Sequence, residues 1–138
     1  MSVRPEWVAM LESGLKLAEV RKTAIQPPPK ADEPIKCYVY ETKAAGRGRG
    51  QIVGWFLCEE IMQFAGGRRG TRALYLSCMT AKQMKEYKGE RPYLYAWLVS
   101  AQGYHKIDPV PLASIHKGCA PQSWCSRVHA KGENQCSE

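Results

Sequence analysis

Three charged residues at short spacing carry the chemistry most open to reading in this 138-residue chain. Lys16, Glu19 and Arg21 supply an amine, a carboxylate and a guanidinium within six positions. Alternation from Leu17 to Thr23 marks an extended segment, with Leu17, Glu19 and Arg21 on one side and Ala18 and Val20 on the other. A lysine ammonium is a point charge for phosphate, or an amine nucleophile where a dry site lowers its pKa. Arginine offers a planar fork to phosphate or carboxylate, and a glutamate between the two orients either cation. The plainer alternative is a structural ion pair, Glu19 with Arg21, tying a strand to its neighbours.

More arginines lie in two glycine-rich stretches. Arg47 and Arg49 belong to AAGRGRG, residues 44–50, and Arg68, Arg69 and Arg72 to GGRRGTR, residues 66–72. Read as loops, these either follow a nucleic-acid backbone, which makes binding fall steeply with salt, or are solvated tips. The aromatic residues Tyr38, Tyr40, Trp55, Tyr95, Trp97 and Trp124 are mostly core in so small a domain. Tyr40 and Trp124 are the two expected in a cleft, where a base stacks on them. Lys16, Glu19 and Ser123 supply parts of a hydrolytic site, but no Ser or Cys stands in a nucleophile elbow and His105, His116 and His129 all fall late in the chain. A conventional triad is not expected.

Six cysteines, at 37, 58, 78, 119, 125 and 136, include no CxxC pair and read as reduced thiols. His116, Cys119, Cys125 and His129 match no common zinc spacing, so neither a metal nor another cofactor is expected. The net charge of +7 favours phosphate-bearing partners, RNA or a nucleotide, over cationic ones. The first apolar positions are broken by Arg4, Pro5, Glu6 and Glu12, and no run reaches the roughly 18 apolar residues of a membrane span. A cytoplasmic protein without a membrane role is expected, with one domain over residues 1–128 and a polar, frayed tail over 129–138.

The elements that must position these groups follow from period and punctuation. Pro5 and Glu6 start a short amphipathic helix over 5–13, with Trp7, Val8, Leu11 and Leu15 on one stripe, and Gly14 ends it. The proline-rich stretch 26–34 is a solvated connection. KCYVYET (36–42) and QIVGWFLCE (51–59) form a long-looped hairpin, with Gly54 marking a bulge or bend. Thr80 and Gln83 form a capping box for a helix to about Lys88, which Gly89 ends. Residues 93–100 are a central strand, residues 103–111 a series of turns, and residues 124–128 a last strand.

GLKLAEVR, Gly14 to Arg21, resembles the GxKxxExR pattern of ASCH domains and stands, as there, between an amphipathic helix and a strand. GWFLCEEI, the helix leading to YAW, and the closing APQSWC are similar to short, often phage-associated ASCH-like proteins. The resemblance implies an α+β, mainly β fold: a PUA-like pseudo-barrel of about six strands with short flanking helices and a cleft at its mouth. It also implies RNA binding, since related domains bind RNA. Some ASCH proteins are nucleases, and one subgroup hydrolyses acetylated cytidine with the motif lysine, a threonine and a distant glutamate. Here the lysine is Lys16 and Glu19 takes the threonine's place, a departure from that subgroup. Two functions therefore stay open: a binding module for RNA or a nucleotide, or a small hydrolase using Lys16 and Glu19.

Overall fold

The computed structural model describes residues 1–44, 46–121, 123–125 and 136–137. A six-stranded mixed sheet, curled into a half-barrel, forms the body. Its strands are β1 (Ser2–Val3), β2 (Ala18–Arg21), β3 (Ile35–Glu41), β4 (Gln51–Phe64), β5 (Leu94–Val99) and β6 (His105–Val110), and three helices, α1 (Pro5–Glu12), α2 (Gly67–Ser77) and α3 (Ala81–Lys88), flank it. The order is β1-β3-β4-β5-β2, with β6 also on β4. A separate ladder pairs β7 (Trp124–Cys125) with β8 (Cys136–Ser137). The expected last strand is thus seen over its first two residues; 126–128, and 129–138 apart from β8, lie outside the described residues.

The long strand β4 organises the sheet. Along one edge it pairs with β3 from Gln51 to Cys58. Along the other it takes β6 at Ile52–Trp55 and then β5 at Cys58–Phe64. Strand β4 runs five residues past its expected end at Glu59. Two consecutive glutamates resemble a terminus, but Glu59 and Glu60 fall at an irregularity in the β5 pairing, where both are exposed, and the ladder resumes at Ile61. The bulge expected at Gly54 is present beside it: Val53 is the extra residue opposite β3, whereas on the other edge the surplus lies in β6, where Ile107–Pro109 stand opposite Val53.

Three further expectations need correction. GGRRGTR is no loop, since α2 begins at Gly67. Gly70, Ala73, Leu74 and Ser77 recur at helical spacing, and packing against β2 and β4 outweighs the roughly 1 kcal/mol an interior glycine costs a helix. The turns expected over 103–111 hold β6, where Asp108 and Pro109 are tolerated because the strand has a partner on one side only. Leu15 does not continue the apolar stripe of α1. Gly14 takes φ +77°, which turns the chain so that Leu15 is exposed.

Two apolar clusters fill the body. One joins Val3, Val8, Leu11, Val39, Phe56, Trp97 and Trp124; the other joins Ala18, Val20, Phe64, Leu94 and Met84. The helix starts and stops otherwise follow the sequence. Pro5 opens α1, and the Thr80–Gln83 capping box opens α3 with both reciprocal hydrogen bonds made.

Candidate functional site

The left-handed turn at Gly14 sends Lys16 inward, and all four residues of β2 are buried. Lys16 is 2% exposed. Its Nζ donates to Ser77 O at 2.7 Å, at the negative end of α2, and lies 4.7 Å from the centre of the Trp7 ring. Glu19 stands between the two cations, its Oε2 3.3 Å from Lys16 Nζ and its Oε1 3.1 Å from Arg21 Nη2. The Lys16 contact is an ion pair without hydrogen-bond alignment, because Oε2 has no hydrogen-bond partner. Arg21 Nη2 also donates to Ser2 O. Tyr87 on α3 hydrogen-bonds Arg21, and burial is the main cause that raises its phenol pKa. The three motif side chains do converge, as a buried network of two cations and one anion.

An aromatic-walled cavity of about 400 Å³ lies elsewhere in the same body. Tyr38, Tyr40, Trp97 and Trp124 face it, with Lys36, Cys37, His116 and Cys125 among its other residues; Lys16, Glu19 and Arg21 do not line it. Thr23 fixes two of the walls. Trp97 Nε1 donates to Thr23 O at 3.2 Å and Trp124 Nε1 to Thr23 Oγ1 at 2.9 Å. The Cys37 thiol is linked by a hydrogen bond to Cys58, which with burial raises its pKa, while the same bond lowers that of Cys58. Tyr40 and Trp124, the two aromatics expected in a cleft, both line this cavity. Ser123 is buried just before Trp124, and its Oγ lacks a hydrogen-bond partner.

The arginines part into two groups at opposite ends of β4. Arg47 and Arg49 are exposed beside its start, where Arg49 N donates to Glu41 Oε1 at 2.8 Å. Arg68, Arg69 and Arg72 line a second hollow with Glu60–Gln63, beside its far end. At roughly 3.3 Å per residue a 14-residue strand separates the groups by several phosphate spacings. The histidine and cysteine set is split as well. Cys125 Sγ lies 3.7 Å from both His116 ring nitrogens, Cys119 is exposed, and His129 lies outside the described residues. Among the described residues no three His, Cys, Asp or Glu side chains gather as a metal cluster, and no helix is long and apolar enough to cross a membrane.

Sequence reasoning missed Lys36, Thr23 and the cavity itself, whose walls come from β3, β4, β5, β7 and the segment before β7. The available signal was the alternation Lys36, Tyr38, Tyr40, which puts a cation and two phenols on one face of β3.

No protein-family model matches the chain, and no curated protein matches it. Solved structures do. An ASCH protein from Zymomonas mobilis superposes with a TM-score of 0.65 at 21% identity, covering 82% of this chain and 72% of the other. A Ser-to-Ala variant of that protein gives 0.66 at 21% identity, with 89% and 82% covered. Its Tyr-to-Phe variant gives 0.61 at 21% identity, with 82% and 74% covered. Shared over four-fifths or more of this chain, the curled sheet and its flanking helices have the fold of an ASCH domain.

Proposed function

We propose that this chain binds an unpaired RNA base or a nucleotide in the cavity walled by Tyr38, Tyr40, Trp97 and Trp124. The supporting observation is the wall itself: four aromatic side chains around about 400 Å³, a volume suited to a small planar ligand. Stacking on aromatic walls contributes about 1–3 kcal/mol per base whatever the base. The net charge of +7 and the resemblance to RNA-binding relatives point the same way. In this proposal Lys16, Glu19 and Arg21 are the buried mount for the wall, and the two arginine groups extend the attraction for a backbone.

A hydrolase built on Lys16 has less behind it, because its ammonium is engaged by Ser77 O and Glu19 and does not reach the cavity lining. The test is a titration with short unstructured RNA and with the four nucleosides at low salt. Tyr38→Ala and Tyr40→Ala, at half-buried positions, are expected to lose about tenfold in affinity each. Wild-type protein that binds none of these ligands refutes the proposal. No turnover of acetylated cytidine is expected, and turnover abolished by Lys16→Ala establishes the hydrolase instead.

A further inference from the structure

We infer that the ligand of the aromatic cavity carries a phosphate and that Lys36, at the cavity's edge, holds it. This rests on the base-binding role proposed above and adds to it the charge and the direction of the ligand. Lys36 is the one Lys or Arg side chain among the described residues that line the cavity. It is exposed, and among the described residues its ammonium makes no ion pair and no hydrogen bond. Lys16 and Arg21 are each spent on Glu19 and a backbone carbonyl, whereas the three hydrogens of the Lys36 ammonium remain open to an anion.

The ammonium is nonetheless held in place. It sits 4.1 Å from the ring centre of Trp55 and 5.2 Å from that of Tyr38. Both rings attract the ammonium through their negative faces. Trp55 is itself fixed by His105, whose ring stacks on it at 4.0 Å and 11°. Tyr38, Trp55 and His105 are successive partners across β3, β4 and β6, so the backing of the lysine is a row of rings in ladder register. A lysine side chain loses rotamer freedom when an anion orders it. The rings have already restricted Lys36, which lowers that cost. Lys36 lies on β3, the strand that also supplies the cavity walls Tyr38 and Tyr40, so a phosphate attached to a base seated between those rings has this ammonium on the same strand.

The phosphate is either the monoester of a free nucleotide or the diester of RNA, and the experiment separates the two. Wild type, Lys36→Ala and Lys36→Met are titrated with the four ribonucleosides, their 3′- and 5′-monophosphates and an unstructured RNA octamer. Lys36→Met keeps the apolar stem and removes only the charge. The expected result is a monophosphate bound about tenfold more tightly than its nucleoside, a gain that both variants abolish. For RNA as the source, the octamer replaces the monophosphate as the tighter ligand, and the variants lower its salt slope by about 0.7. Nucleoside binding with no gain from phosphate, or a gain that survives in Lys36→Met, overturns the inference and leaves the base cavity standing. Absence of binding by any of these ligands overturns both.

Discussion

Glu19 stands directly opposite Trp97 in the antiparallel ladder between β2 and β5. Side chains of such a pair project from the same face of the sheet, so the carboxylate that neutralises Lys16 and Arg21 lies beside an indole that walls the cavity. Four residues on, just past the end of β2, Thr23 accepts the N–H of that indole and the N–H of Trp124. The motif segment thus bears on the cavity through the tryptophans, with no charged group of its own among the lining residues.

Glu19→Gln is expected to destabilise the fold by about 3–5 kcal/mol, because it strands two buried cations without a counter-charge. Lys16→Met should cost less. Its side chain fills similar space against Trp7, leaving Glu19 with Arg21 and only Ser77 O short of a donor. Urea unfolding of the three proteins ranks them, and a loss below about 1 kcal/mol for Glu19→Gln contradicts the network's structural role.

Thr23→Val keeps the shape of the side chain and removes the acceptor for Trp124 Nε1. An indole N–H left without a partner costs about 1–3 kcal/mol. The cavity wall should loosen with it, so that affinity for the best-bound nucleoside falls alongside stability, while Thr23→Ser restores both. Unchanged affinity in a Thr23→Val protein shown to be folded would mean that Trp124 does not contribute to the ligand's stacking.

Local signals were legible where local physics decides. Pro5, Gly14, the Thr80–Gln83 box and Gly89 fix helix ends through backbone geometry within a few residues, and each stands where the sequence places it. The hairpin of β3 and β4, the bulge at Gly54 and the convergence of Lys16, Glu19 and Arg21 likewise follow from alternation and spacing. Depth did not follow. Spacing brings Lys16 and Arg21 to Glu19 but does not say that α2 covers them, and GGRRGTR conceals α2 because its helical face appears only when β2 and β4 are there to receive it. The cavity was least legible of all, since Ile25, Tyr38, Trp97, His116 and Trp124 meet only through the tertiary fold.

Gly54→Ala should be among the most damaging single-methyl changes in the chain. A Cβ at this position overlaps the Tyr104 hydroxyl and ring and comes within 2.6 Å of His105 O. The carbonyl belongs to β6, which pairs with β4 here, so relief requires β6 to move. Overpacking of this kind costs about 1–3 kcal/mol, and the displaced strand should also carry His105 off Trp55. Adding Tyr104→Ala removes the ring clash but not the carbonyl one, so a partial rescue is expected; full rescue would mean that the backbone contact is harmless.

Tyr104 gives the fold a pH dependence of defined sign. Burial is the main cause that raises its phenol pKa, the carboxylates of Glu12 and Glu41 add to it, and Arg49 opposes them. In the unfolded chain the phenol ionises near pH 10, about the usual value. Above that pH the unfolded state releases a proton that the folded state still holds, so stability is intact below about pH 9 and falls as the pH climbs past 10. The Tyr104 hydroxyl is buried without a hydrogen-bond partner, so Tyr104→Phe should be neutral or stabilising at pH 7. It should also flatten the alkaline fall, leaving a smaller slope from Tyr87 and Cys37, whose pKa values the fold shifts in the same direction. Urea midpoints taken at intervals from pH 7 to 11 decide the matter, and parallel curves for wild type and Tyr104→Phe would show that the buried phenol is not what the fold loses to alkali.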